Sequence, residues 1–156
     1  MSFGLSVLAL LAAGGGPGSD PGRVMEIFMR AVQRSDTSAA LDMVSSEAYG
    51  MIDSLLDADP ERLCWLADGF GVTIEPGDLD GMGPRGFLGA VLSSPALAGM
   101  LAMASWHVSG STEEDGEAVV SIDYRILGST GVMQVLMVME DGRWRLDDYF
   151  GGAPLR

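Results

Sequence analysis

The last third of the chain carries three turn signals, at Asp115-Gly116, at residues 128–131 and at Asp141-Gly142. Apolar residues alternate with polar ones between these turns, which is the pattern of strands that bury one face of a sheet. Glycine and aspartate are the residues that mark breaks between such strands. The sequence therefore predicts a four-stranded antiparallel meander that ends at Trp144 and Phe150.

Two of the predicted strands differ in how many of their faces must be buried away from water. The second strand is apolar on one face and polar on the other, as expected for a half-buried strand. The third strand is apolar on both faces, with Met133, Val135, Met137 and Met139 on one and Val132, Leu136 and Val138 on the other. We expect helices to cover one face, so the other must meet a flanking segment, a ligand or a second subunit.

Helix signals precede the meander. Pro21 follows a capping Ser19 or Asp20, and apolar residues then recur at helical spacing as far as Arg34. Further helices are predicted after residues 35–38, around 52–56, at 59–69, around 87–92 and from Ser94-Pro95, with a loop holding one short extended piece at 72–83. The predicted fold class is α+β, with N-terminal helices packed on a C-terminal curved antiparallel four-stranded meander.

Charge limits the classes of partner. The chain has 156 residues and a net charge of −13, from 22 acids against nine basic residues. Such a surface repels phosphate backbones, so no nucleic-acid binding is expected. All nine basic residues are arginine, and lysine and asparagine are missing, which is typical of a GC-rich bacterium and excludes Schiff-base chemistry.

The first 20 residues predict a leader and a linker. Residues 1–13 form an apolar run the length of a secretory signal core, and a glycine-rich stretch at 14–18 follows. The run is short for a membrane span, so membrane attachment is expected only through an uncleaved leader. We predict an exported protein, periplasmic or secreted, with a single domain over residues 21–156. An apolar helix packed on that domain is the alternative for residues 1–13.

The order of these elements resembles the nuclear transport factor two-like superfamily, including the SnoaL-like proteins. The resemblance extends over residues 21–150 and is closest at Phe28, Ala31, Asp36, Ala40 and Leu41 and at residues 141–146. It implies a small cone-shaped domain with a pocket between helices and sheet, and a homodimer formed through the sheet face. No acid or histidine motif of the catalytic members matches this chain, so the resemblance implies no catalytic residue.

The candidate acid-base residues are His107 and Asp123. His107 is the only histidine, so any nucleophile activated by histidine depends on it. Asp123 could act as a base beside the Tyr124 hydroxyl and the Arg125 guanidinium. Strand alternation places Tyr124 on the opposite face, however, and favours cross-strand ion pairs of Asp123 with Arg125, Arg143 and Arg145.

The sequence predicts no metal site and no cofactor. Asp78-Leu79-Asp80-Gly81 resembles the start of a calcium loop, but Gly89 stands where the last carboxylate ligand should be. The eleven methionines coincide with the apolar stripes, so core filling explains them better than a copper site. Cys64, the only cysteine, borders such a stripe and is expected in the core.

Three functions fit these observations. The first is a non-enzymatic exported binding or accessory domain for a small apolar ligand or a protein partner, with Trp106, Tyr124, Met137 and Trp144 lining its cavity. An ordinary core position is an equally good interpretation of these four residues. The second is a cofactor-free acid-base enzyme, an isomerase or dehydratase, using His107 or Asp123. The third is a structural module that dimerises through its sheet.

Overall fold

The structure is a computed structural model, which describes residues 20–147. Helices occupy the N-terminal part of this range and strands the C-terminal part. The helices are α1 Pro21–Gln33, α2 Thr37–Leu41, α3 Ser46–Ala58, α4 Pro60–Gly69, α5 Pro84–Leu92 and α6 Pro95–Met103, with a 3₁₀ helix at Pro76–Leu79. The strands are β1 Ala104–Glu114, β2 Glu117–Ile126, β3 Ser129–Glu140 and β4 Arg143–Leu146. The predicted leader and Phe150 lie outside the described residues.

The helices begin at the capping residues that the sequence indicates. The Asp20 carboxylate accepts a hydrogen bond from the Gly22 amide at 2.9 Å, with Pro21 in the first turn of α1. Asp59 and Ser94 cap α4 and α6 in the same way, each one residue before a proline. The predicted break between the first two helices is confirmed, because Asp36 is the N-cap of α2.

The four strands form one antiparallel sheet in the order β1-β2-β3-β4, as the meander prediction requires. The connecting turns are Asp115-Gly116, Leu127-Gly128 and Asp141-Gly142, and both residues of each have positive φ. The predicted turn at residues 128–131 is therefore misplaced, because β3 already begins at Ser129 and Gly131 pairs with Tyr124 inside the sheet.

The helix-facing side of the sheet and the inner face of α1 form one core. Met25 and Phe28 of α1 are buried in it, together with Val120 and Ile122 of β2. Met137, Trp144 and Leu146 complete the same face on β3 and β4. The α+β class and the meander are thus confirmed. Helix α3 is longer than predicted, and the loop predicted at 72–83 also contains the 3₁₀ helix, which the sequence does not indicate.

Helix α3 is fixed directly to the last strand. The Ser45 amide donates to the Leu146 carbonyl at 2.8 Å, and the Leu146 amide donates to the Met43 carbonyl at 2.8 Å. The Ser45 hydroxyl, which caps α3, donates to the Asp147 carboxylate at 2.7 Å, and both side chains are buried. The start of α3 therefore packs on the edge of the sheet through polar contacts.

Within residues 20–147, no single helix is long and apolar enough to cross a bilayer. Helices α5 and α6 reach the required length only as a pair, and the pair is bent by 47°.

Candidate functional site

An open depression on the sheet lies where β1 begins, β2 ends and β3 begins. It encloses about 500 Å³. Six of its side chains alternate outward, away from the helices: Ser105, His107, Asp123, Arg125, Thr130 and Val132. Trp106, Tyr124 and Gly131 form the middle of its floor. We call this depression, defined by the six outward side chains, the outward groove.

The pairing register arranges the outward groove as two rows across three strands. Arg125 lies between Ser105 and Thr130 in one row. In the next row Asp123 lies between His107 and Val132. The residues belong to three different strands, and only the sheet register brings them together.

His107 and Asp123, the two candidate acid-base residues, are neighbours in the outward groove. His107 Nε2 lies 3.5 Å from Asp123 Oδ2, a contact longer than a strong hydrogen bond. Their side chains remain 70% and 44% exposed, respectively. Water therefore reaches both groups, and the groove as described does not exclude solvent in the way that acid-base catalysis favours.

The ion pairs expected between Asp123 and the arginines do not form. Asp123 contacts His107 instead, and the Arg145 guanidinium donates to the Asp42 backbone carbonyl. Within residues 20–147, Arg125 makes no ion pair, although it lies in a chain with 22 acids. Among the described residues, the Arg125 guanidinium in the groove is therefore not neutralised by an acidic partner.

The four predicted lining residues do not meet in one cavity of the described structure. Met137 and Trp144 are buried in the core. Trp106 and Tyr124 pair with each other at the groove end of the sheet, and Trp106 is half-buried against the core. Tyr124 lies over Gly131, because a Cβ atom built on Gly131 would stand 2.5 Å from the Tyr124 hydroxyl oxygen. Alternation separates Tyr124 from Asp123 and Arg125, as predicted.

A second hollow lies among α3, α4 and α5. Its walls are almost entirely apolar, and it encloses about 20 Å³, room for about one water molecule. It is lined by Val44, Ala48, Ile52, Leu63, Leu66, Ala67, Phe70, Phe87, Leu88 and Val91. Cys64 packs nearby against the core, and burial raises the pKa of its thiol. The sequence predicts the apolar stripes of these helices, but it does not indicate that the packed helices leave a space between them.

A third depression of about 290 Å³ lies at the other end of the outward face, beside the Asp115-Gly116 turn. Glu114 and Glu117 pair across the strands there, and Val119 and Leu136 lie in the adjacent row. In the part of the chain from 20 to 147, no three histidine, cysteine or acidic side chains come close enough to bind a metal ion.

Three of the five exposed large apolar side chains among the described residues lie at the groove end of the sheet. Val132, in the groove itself, is 64% exposed. Met103 and Leu127 are 59% and 80% exposed, and they directly flank the strand pair Ala104 and Ile126. Leu127 also has φ of +50°, which is unfavourable for a branched side chain. Sequence reasoning missed Leu127, although a leucine before glycine in a tight turn is an unusual choice.

Comparison with known proteins gives no match, whether to family models, to curated proteins or to solved structures. The resemblance to the nuclear transport factor two-like superfamily therefore stays a prediction, as do export and the homodimer. The arrangement in the outward groove is the basis on which a function can be proposed.

Proposed function

We propose that this protein is a non-enzymatic binding domain that holds a small ligand in the outward groove. The observation that carries the proposal is the side-chain set gathered there by the register. The groove combines a guanidinium, two hydroxyls, an imidazole-carboxylate pair and an exposed valine around about 500 Å³. That volume lies in the usual range for small-molecule sites, and a few converging polar groups are what such sites use for specificity.

The groove is a better candidate than the space between helices and sheet. In the described residues that space is filled by Met25 and Phe28 of α1 packing on Val120 and Ile122. Opening it for a ligand would require these side chains to leave a close-packed core. Binding at the outward groove needs no such change, because its side chains are already exposed.

His107 makes the test simple, because the ring protons of the only histidine give unambiguous NMR signals. We would titrate the full chain, without a histidine tag, with hexanoate, hexylamine and hexanol. The proposal expects at least one probe to shift the His107 signals saturably. It expects Val132→Tyr, which fills the groove, to abolish the shift, and Gln134→Tyr, two residues further along the same strand, to leave it intact. Signals unmoved by every probe would contradict the proposal.

A second candidate is a cofactor-free acid-base enzyme, which the 3.5 Å contact between His107 and Asp123 favours. An aspartate beside an imidazole can orient the ring and stabilise its protonated form. This candidate expects the protein to exchange the C–H protons next to the ketone of 4-oxopentanoate for deuterium in D₂O. Exchange should disappear in both His107→Gln and Asp123→Asn. No exchange above the protein-free rate would contradict this second candidate.

A further inference from the structure

We infer that the ligand of the outward groove is a monocarboxylate with an apolar body, such as a short fatty acid. This inference rests on the proposed function and names the class of ligand. Its two parts follow from the two kinds of surface that meet at this end of the sheet, a charged row and an exposed apolar rim.

Arg125 supplies the anion-binding group. Its guanidinium has no ion pair within the described residues, and its nearest outward acid on the same strand, Asp123, contacts His107. Ser105 and Thr130 stand on either side of it in the sheet register, so two hydroxyl donors flank one guanidinium. A planar carboxylate matches this set, because guanidinium can donate two parallel hydrogen bonds to it.

The surrounding charge selects an anion of one negative charge. Asp123 lies two residues from Arg125 on the same outward face, and the whole chain carries −13. A dianion such as phosphate would gain attraction from one guanidinium and suffer repulsion from Asp123 and from the overall field. A single carboxylate is repelled less and uses the same donors.

The apolar body has a surface to occupy beside this row. Val132 lies in the groove, one row from Arg125, and is 64% exposed. Met103 and Leu127 extend exposed apolar surface past the end of the sheet on the other side of the Arg125 row. Leu127 is exposed although it occupies a left-handed turn position, where asparagine or glycine is favoured. A ligand with a hydrocarbon chain would remove part of this surface from water.

The test compares head groups and chain lengths by the His107 NMR titration. We expect hexanoate to bind about tenfold more tightly than hexylamine, because only the carboxylate pairs with Arg125. We expect acetate, which lacks the apolar body, to bind about tenfold more weakly than hexanoate. Inorganic phosphate should bind more weakly than hexanoate as well.

Matched arginine variants identify the charged group. Arg125→Gln should raise the hexanoate Kd about tenfold, whereas Arg143→Gln, on β4 at the far end of the same face, should leave it within about twofold. Tighter binding of hexylamine or hexanol would overturn the inference and leave the proposed groove intact. An Arg125→Gln variant that binds hexanoate normally would do the same. Failure of all probes would contradict the proposed function itself.

Discussion

Replacing Ser45 with alanine removes two interactions at once. The Ser45 hydroxyl oxygen accepts from the Ala48 amide at 3.0 Å, as the N-cap of α3. The same hydroxyl donates to the buried Asp147 carboxylate at 2.7 Å. Loss of an N-cap costs about 1 kcal/mol of unfolding free energy. Loss of a hydrogen bond to a charged group costs about 1.5–3 kcal/mol. We therefore expect Ser45→Ala to lower the free energy of unfolding by about 2.5–4 kcal/mol.

Ser94 provides the matched control. It is also a buried N-cap, accepting from the Leu97 amide at 3.0 Å at the start of α6. No contact with a carboxylate accompanies this cap in the described part of the chain. Ser94→Ala should therefore cost only about 1 kcal/mol.

Urea unfolding of the full chain, followed by circular dichroism, measures both variants on one scale. The difference between them reports the bond from Ser45 to Asp147, which joins the helical layer to the end of the meander. Losses that agree within about 0.5 kcal/mol, less than the low end for such a bond, would refute the claim that this contact stabilises the fold.

Three further predictions concern single positions. Gly131→Ala should destabilise the protein by about 1–3 kcal/mol, because its methyl group would meet the Tyr124 ring. The same change in a Tyr124→Ala background should cost far less in urea unfolding, and an equal cost would exclude the ring as the cause. Leu127→Asn should raise the unfolding free energy by about 0.5–1 kcal/mol by relieving the left-handed strain, and a loss of stability would contradict that explanation. Burial raises the pKa of Tyr49, whose hydroxyl donates to the Leu41 carbonyl, so the unfolded chain releases this proton at lower pH than the folded one. Stability should therefore be retained below about pH 10, the usual tyrosine pKa, and fall as the pH rises above it. As the pH rises through this range, the unfolding midpoint should fall less in Tyr49→Phe than in the unsubstituted protein. The same fall in both proteins would show that the Tyr49 hydroxyl contributes nothing to the pH dependence of stability.

The sheet could be predicted because its signals are local. Alternation along β2 and the pairs Asp115-Gly116 and Asp141-Gly142 depend only on neighbouring residues. The predicted middle turn is misplaced because glycine at position 131 is typical of a turn. Position 131 requires glycine because the ring of Tyr124, its cross-strand neighbour, occupies the space that a side chain would need. That requirement is a tertiary one and leaves no trace in the segment itself.

The outward groove depended on the same turn. With the turn at residues 128–131, Thr130 would lie in a loop, and Val132 would no longer lie opposite Asp123. Moving the turn to Leu127-Gly128 brings both into line with Arg125 and Asp123. The separation of Tyr124 from Asp123 was predictable from alternation within one strand, whereas the gathering of three strands around Arg125 was not.

The burial of Asp147 was also beyond local reasoning. Alternation along β4 places it on the polar face with Arg143 and Arg145, and acids on such a face are expected in water. It is buried because Ser45, 102 residues away in sequence, lies beside it and donates to its carboxylate. Contacts of this separation are set by how the layers pack.

Amide and side-chain chemical-shift mapping with hexanoate tests the central claim most directly. We predict that the saturable shifts fall on Ser105, His107, Arg125, Thr130 and Val132. Shifts concentrated instead on Leu66 and Phe70, in the apolar hollow of the helices, or on the core residues Met137 and Trp144 would contradict the claim that the protein binds ligands on the outward face of its sheet.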